Sequence, residues 1–152
     1  MRKRLFRLSF LAITFTICYS KTKGQVSTKE ITDKFFNIYV TDPSKAVDYA
    51  FSTNKWFDRK QDDVASAKDK FKNLVSLLGD YYGYEFLVEK SAGANVKMES
   101  FLVRYDREPI RITFMFYKPK DTWRMSNFTY DEDLGSDLME AIKVYRLKEN
   151  IY

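Results

Sequence analysis

The chain of 152 residues contains no histidine and only one cysteine, Cys18. A Ser-His-Asp triad, a Cys-His dyad and a histidine-rich zinc site all need an imidazole, so the sequence excludes them. If Cys18 is removed with an N-terminal segment, as argued below, the remaining domain has no cysteine chemistry. Most familiar hydrolytic and redox machinery is therefore absent.

Proline and glycine are also scarce, with 3 Pro and 5 Gly. No Pro/Gly-rich linker, internal repeat or low-complexity tract divides the chain, which predicts a single domain over residues 25–152. Hydrophobic residues make up 45% and charged residues 31%, a balance typical of globular proteins. Aromatic residues are abundant at 17%, with 13 Phe, 11 Tyr and 2 Trp.

Long hydrophobic runs are missing as well. The uncharged run over residues 8–19 follows four basic residues, and it is too short to cross a bilayer as a helix, which takes about 20 residues. A basic start, a short apolar run and small residues near a cleavage point are typical of a secretory signal peptide. We expect residues 1–24 to be this signal, with export to the periplasm or beyond. An uncleaved N-terminal anchor is the alternative.

Cys18 raises the question of a lipid anchor, because bacterial lipidation modifies a cysteine just after such an apolar run. Ile17 stands directly before it, where the lipidation motif has a small residue. We therefore expect Cys18 to be part of the apolar run and to remain unlipidated.

The positive charge of the chain is confined to this first segment. The formal net charge is +5, but residues 1–24 carry six basic and no acidic residues. The remainder has 20 basic against 21 acidic residues, a net charge of −1, with the two signs interspersed. No basic run could follow a phosphate backbone, so we expect no nucleic-acid partner.

Helical signals come first along the expected domain. Ser27 and Glu30 have the spacing of a capping box, which predicts a helix over residues 28–40. Asp42 and Pro43 are typical of the start of a second helix, and Asn54 is predicted to end it in a left-handed conformation.

A third helix follows a loop or short strand at residues 56–57. Asp62 or Asp63 is predicted to cap it, and Gly79 to end it. Its apolar residues recur at helical spacing, from Val64 to Leu78.

From Tyr81 the hydrophobic period changes to two, which predicts strands. Tyr82, Tyr84, Phe86 and Val88 are expected on one face, and Glu85 and Glu89 on the other. Turn signals at residues 91–95, 106–109 and 118–121 separate four strands, and short turns between consecutive strands predict an antiparallel meander.

A last helix is predicted from residues 131–133, with a buried apolar stripe formed by Leu134, Leu138, Ala141, Ile142 and Tyr145. Three acidic residues at its start favour a helix N-terminus over a calcium loop, because the oxygen spacing of an EF-hand is missing. The fold class is therefore α+β: three N-terminal helices packed on a curved four-stranded antiparallel meander, plus a C-terminal helix.

The second face of the sheet also contains apolar residues. Met115 and Tyr117 share it with Arg111 and Thr113, and we expect Phe101, Val103 and Tyr105 to lie there too. So apolar a face needs a cover, which is either the last helix or a second subunit in a homodimer.

Element order and the stretches FFNIY (35–39), LLGDYYGY (77–84) and FMFY (114–117) resemble the NTF2-like, or cystatin-like cone, superfamily, and small exported bacterial domains within it. The resemblance covers about residues 28–130. It implies a conical cavity between helices and sheet, whose walls would be Phe35, Tyr39, Phe51, Trp56, Tyr82 and Tyr84. Alternatively, these rings fill the cone.

Two functions follow from this resemblance. The first is a noncatalytic module that binds a small apolar or aromatic ligand, or a partner protein. The second is a lyase or isomerase similar to ketosteroid isomerase, in which a buried carboxylate and a tyrosine act on a carbonyl compound. Asp48, beside Tyr49, is the best carboxylate candidate, but we assign no catalytic residue and expect no metal or cofactor.

Overall fold

The computed structural model describes residues 26–149, with side chains described as far as residue 144. The expected signal peptide and Cys18 lie outside the described residues. The described elements are helices α1 (Thr28–Tyr39), α2 (Pro43–Ser52), α3 (Gln61–Leu77) and α4 (Leu134–Glu149), a 3₁₀ helix (Lys55–Arg59), and strands β1 (Tyr81–Ala92), β2 (Val96–Tyr105), β3 (Ile110–Tyr117) and β4 (Arg124–Asp131).

The four strands form one antiparallel sheet in the order β1-β2-β3-β4. Three helices precede the sheet and one follows it, so the predicted α+β class and the predicted meander are confirmed. Each strand pairs with its neighbour in sequence because the connecting turns are short.

The first two helices begin as their capping residues predict. The backbone N–H of Glu30 donates to Ser27 Oγ at 3.1 Å, and the N–H of Ser27 donates back to the Glu30 carboxylate at 2.9 Å. In α2, Asp42 accepts from the N–H of Lys45 at 3.0 Å, and Pro43 takes the first helical position. These bonds satisfy N–H groups that have no partner within the helix.

The prediction for Asn54 is wrong. Thr53 ends α2 in a right-handed conformation, and no described residue other than glycine has a positive φ. Asn54 instead caps the 3₁₀ helix by accepting from the N–H of Trp56, and its amide donates to the carbonyl of Met125 at 2.8 Å. The asparagine side chain therefore joins the helical layer to β4.

Helix α3 differs from the prediction at its start. It begins at Gln61, and the residue before it, Lys60, makes no side-chain capping bond. Asp62 and Asp63 lie in the first turn, where their charge still favours the positive end of the helix. The end is as predicted: Gly79 has a φ of +79°, a conformation that glycine adopts without strain.

A first bulge in β1 reverses the expected side of Tyr82. Tyr81 pairs with Tyr105 and Gly83 pairs with Arg104, so Tyr82 is the extra residue and has no partner in β2. Gly83 permits the bulge with a φ of +112°. Tyr81 consequently lies on the face toward the helices, and Tyr82 is 56% exposed.

A second bulge, between Phe86 and Val88, reverses the rest of the strand. Phe86 pairs with Phe101, but Val88 pairs with Ser100 and Glu89 with Glu99. The prediction that Glu89 and Tyr84 lie on opposite faces of the sheet is therefore wrong, because both lie on the inner face. One extra residue is enough for this change, because successive side chains of a strand point to opposite faces.

The inner face of the sheet is packed with aromatic rings. Phe35 of α1 meets Phe114 edge-on with ring centres 4.9 Å apart, and Phe71 of α3 meets Phe128 in the same way at 5.4 Å. Such edge-to-face pairs stabilise beyond the area that they bury. The core therefore lies between the first three helices and the sheet.

Three residues expected on the second face of the sheet lie in this core instead. Phe101, Val103 and Tyr105 are buried on the inner face. Phe101 and Val103 lie opposite Ile112 and Ile110 in β3. The antiparallel register fixes this side, because residues directly opposite each other point to the same face.

Helix α4 does not pack as predicted. Leu134 is half-buried, but Leu138 is 64% exposed and Ile142 is 48% exposed, so the stripe is not buried beyond its first residue. Ala141 is also exposed, and the side chain of Tyr145 lies outside those described. The first turn is held to the sheet by Arg111, which donates to Asp137 and to Asp131, the latter at 2.9–3.0 Å.

We expect Phe114→Ala to lower the free energy of unfolding by about 3–5 kcal/mol, because it removes a fully buried ring and leaves a cavity. Urea denaturation measures the loss. Leu138→Ala in α4 is the matched control and should change stability by at most about 0.5 kcal/mol. A loss of about 2 kcal/mol or more in the control would show that α4 is buried in solution.

Candidate functional site

The structure distributes the six predicted cavity-wall rings over different environments. Phe35 and Tyr39 are fully buried in the core. Phe51 is half-buried against Phe57, with ring centres 4.7 Å apart. Trp56 is 50% exposed, and the guanidinium of Arg59 lies 5.0 Å from its ring centre. These four rings do not surround a common cavity.

The two remaining rings belong to β1. Tyr82 lies at the surface, where its hydroxyl donates to Asp106 at 3.1 Å. Tyr84 stacks on the buried ring of Phe36 with centres 3.7 Å apart, and 38% of its surface is exposed. Of the six, only Tyr84 lines the pocket described below.

Tyrosine hydroxyls meet at the C-terminal end of α1. The hydroxyls of Tyr39 and Tyr105 are hydrogen-bonded to each other in the core. Burial raises the pKa of both, that of Tyr105 to about 12, so both remain protonated at physiological pH. Tyr81 packs against both rings, at 5.6 and 5.8 Å between centres. At this end the space between helix and sheet is filled.

The predicted carboxylate candidate lies in a different setting. Asp48 is half exposed on α2 and pairs with Lys68 of α3 at 2.6 Å. A general base in this fold needs a desolvated carboxylate aimed into a cavity. Asp48 is half exposed and ion-paired, so its geometry is that of a contact between two helices.

A pocket of about 470 Å³ lies at the other end of α1, between the first turn of that helix and the β1–β2 pair. Three rings form its apolar walls: Tyr84 and Phe86 from β1, and Phe101 from β2. The helix contributes the small side chains of Thr28 and Thr32, which leave the space open. We refer to this cavity as the α1–β1 pocket.

Glu99 lies in the α1–β1 pocket and is only 4% exposed. It projects from the inner face of β2, two residues before Phe101 on the same side of the strand. Burial raises its pKa above the ordinary value, while the nearby Thr28 side chain and the charge of Lys97 act in the opposite direction. A carboxyl group is therefore held in a largely apolar setting.

Two ion pairs surround this carboxyl. Lys29 binds Asp33 at 2.6 Å on α1, and Lys97 of β2 binds Glu89 of β1 at 3.0 Å. Among the described residues, Glu99 has no Lys or Arg in salt-bridge contact. Glu99 is thus the one acidic residue lining the pocket that lacks a basic partner within the described part of the chain.

Sequence reasoning missed Glu99, although a signal was present. Glu99, Phe101, Val103 and Tyr105 are spaced two residues apart along one strand, so Glu99 lies on the same face as the other three. Placing those three residues on the second face removed Glu99 from consideration. The second carboxylate of the pocket, Glu89, depends on a bulge, and alternation alone does not show a bulge.

A second cavity of about 420 Å³ lies beside β4, lined in part by Lys55, Lys120 and Arg124. The buried Nε of Arg124 has no hydrogen-bond partner among the described residues. Ser52, the last residue of α2, and Thr53, its C-cap, line the same cavity. The basic side chains of this cavity lie near the C-terminal end of α2, where positive charge complements the helix dipole.

Among residues 26–144, whose side chains are described, no three His, Cys, Asp or Glu side chains come close enough together to hold a metal ion. Over residues 26–149, no helix has the length and apolar character required to cross a bilayer.

Comparison of the chain with family models, with curated proteins and with solved structures gave no match.

We expect Glu99→Gln to raise the free energy of unfolding at pH 7, because it removes a buried carboxylate that must ionise. The folded protein holds this proton more tightly than the unfolded chain, whose glutamate pKa is about 4.3. Wild-type stability should therefore fall as pH rises from about 4.3 through the raised folded pKa of Glu99.

Thermal unfolding of both proteins between pH 4 and 8 measures this difference. Glu85→Gln is the matched control, since Glu85 lies on the outer side of β1 and is exposed. The control should follow the wild-type curve to within about 0.5 kcal/mol. A Glu99→Gln protein that is less stable than wild type at pH 7 would contradict the prediction.

Proposed function

We propose that this chain is an exported, noncatalytic binding module of the NTF2-like type, and that it holds a small apolar or aromatic ligand in the α1–β1 pocket. The observation that carries the proposal is the buried Glu99 in a cavity with three aromatic walls. Rigid apolar walls with one polar group that fixes orientation are the usual composition of a small-molecule site.

The dimensions of the pocket support this function. A volume of about 470 Å³ lies within the range of small-ligand sites, roughly 300–1,000 Å³. Phe101 is fixed in the core by Phe36 at 5.0 Å and Phe114 at 5.8 Å. Phe36 also stacks on Tyr84, so two of the three walls are held by the same core ring. A wall that is already ordered loses little conformational entropy when a ligand binds.

We expect neutral aromatic compounds of one or two rings, such as indole and 2-phenylethanol, to bind in this pocket. Amide chemical shifts in two-dimensional NMR should change in residues 27–33, 84–89 and 97–101. Glu89→Trp should abolish these changes, because an indole side chain at the pocket wall occupies the space.

Lys90→Trp is the matched control for that experiment. Lys90 is the next residue of the same strand, it is exposed, and it pairs with Met98 outside the pocket. It should leave binding unchanged. Shift changes that are scattered over the surface, or that persist in Glu89→Trp, would overturn the proposed site.

A second candidate function, proton transfer in a lyase or isomerase, is favoured by the raised pKa of Glu99. A carboxylate with a raised pKa is a stronger base at neutral pH, and Tyr84 in the same pocket carries a hydroxyl that could polarise a carbonyl group. We prefer binding to catalysis because a ligand-binding role already explains one buried carboxyl group and one half-exposed tyrosine in the pocket.

Deuterium exchange distinguishes the two functions. If Glu99 is a catalytic base, the protein should speed deuterium incorporation from D₂O next to the carbonyl of a β,γ-unsaturated cyclic ketone. Glu99→Gln should lower that rate about 10²–10⁴-fold, the usual contribution of a general base. Equal rates for wild type, Glu99→Gln and buffer would exclude this function for that class of ketone and leave binding as the proposal.

A further inference from the structure

We infer that the ligand of the α1–β1 pocket is an organic ammonium ion: an apolar, preferably aromatic body that carries one positive charge, for which Glu99 is the counterion. This inference rests on the proposed binding function and adds the chemical class of the ligand.

The charges that line the pocket do not balance. Asp33, Glu89 and Glu99 are acidic, whereas Lys29 and Lys97 are basic. Lys29 is paired with Asp33 and Lys97 with Glu89, at 2.6 and 3.0 Å. When all five groups are ionised, one negative charge is left over, and it is the most buried of the three. A ligand with a single positive charge would restore neutrality.

Burial makes this surplus charge costly without a partner. An isolated carboxylate in an apolar setting is destabilised strongly, and it either takes up a proton or acquires a cation. Thr28, a polar neighbour of this carboxyl in the pocket, supplies no charge. The pocket therefore favours a ligand group that donates hydrogen bonds and carries charge at once, as an ammonium group does.

The aromatic walls suit the same ligand. Tyr84, Phe86 and Phe101 present rings to the pocket, and the negative face of a ring attracts a cation within about 6 Å. The same rings provide apolar contact for the body of the ligand. A carboxylate ligand would meet three acidic side chains, and both lysines of the pocket are already occupied, so anions are disfavoured.

Three probes of one shape test the inference by isothermal titration calorimetry: 2-phenylethylammonium, 2-phenylethanol and 3-phenylpropanoate. For the wild-type protein at pH 7.5 we expect the cation to bind most tightly, then the alcohol, then the anion. Glu99→Gln should weaken binding of the cation about ten- to a hundredfold, which corresponds to the loss of a charge-assisted hydrogen bond. The affinity for the alcohol should not change.

The dependence on pH provides a second measurement that needs no variant. The affinity for the cation should fall as pH is lowered through the ionisation of Glu99, since a protonated carboxyl loses its attraction for the ammonium group. The other titratable groups that line the pocket with Glu99 are Lys29 and Asp33 of α1, Tyr84 and Glu89 of β1, and Lys97 of β2. In the Glu99→Gln protein, the affinity for the cation should no longer show the decrease that protonation of Glu99 causes in the wild type.

Glu85→Gln is the matched control, because it removes the same charge from the outer side of the sheet and should leave all three affinities unchanged. If the alcohol binds wild type as tightly as the cation does, or if Glu99→Gln leaves the cation unaffected, the inference is overturned while the binding pocket stands. If neither the alcohol nor the cation binds, the proposed function fails together with it.

Discussion

The packing of α1 against the inner face of the sheet is the constraint on which the other features depend. The buried side of this helix changes character along its length. Its C-terminal half carries the large rings of Phe35, Phe36 and Tyr39, whereas its first turns carry the buried Ile31 and, lining the pocket, the smaller Thr28 and Thr32. Large rings fill the space between helix and sheet at one end, and the two threonines leave it open at the other. The aromatic core and the pocket are two results of the same helix sequence.

The pocket also depends on irregularities of β1. Without the bulge after Phe86, Glu89 would lie on the outer side, Lys97 would lose its partner, and the inner surface would carry Val88 instead. The bulge thereby balances one lysine of the pocket and leaves Glu99 as the unpaired charge. The net charge of the α1–β1 pocket therefore depends on the register of β1 as well as on which charged residues the sequence contains.

The elements of this fold are largely readable from the sequence, because capping residues, period-two alternation and short turns are local signals. Ser27, Asp42 and Gly79 mark helix ends where the structure has them. What could not be read depends on contacts between distant residues. The side chain of Asn54 donates a hydrogen bond to the backbone carbonyl of Met125 in β4, and the pairing of β1 with β2 determines where the bulges of β1 lie. The candidate site was missed for this reason: its walls come from three elements whose faces only the pairing defines.

The bulges of β1 have a consequence beyond the pocket. β1 is an outer strand of the sheet and twelve residues long. Within residues 26–149 no strand pairs with its outer side, which presents backbone groups to which a strand of another chain could add. At the opposite edge, side chains of Thr53 and Asn54 bind the backbone of Met125. β1 has interruptions at Tyr82 and after Phe86 that divide its regular hydrogen-bonding pattern into short lengths. The irregularity that admits Glu89 to the pocket therefore also shortens the regular edge along which another strand could add.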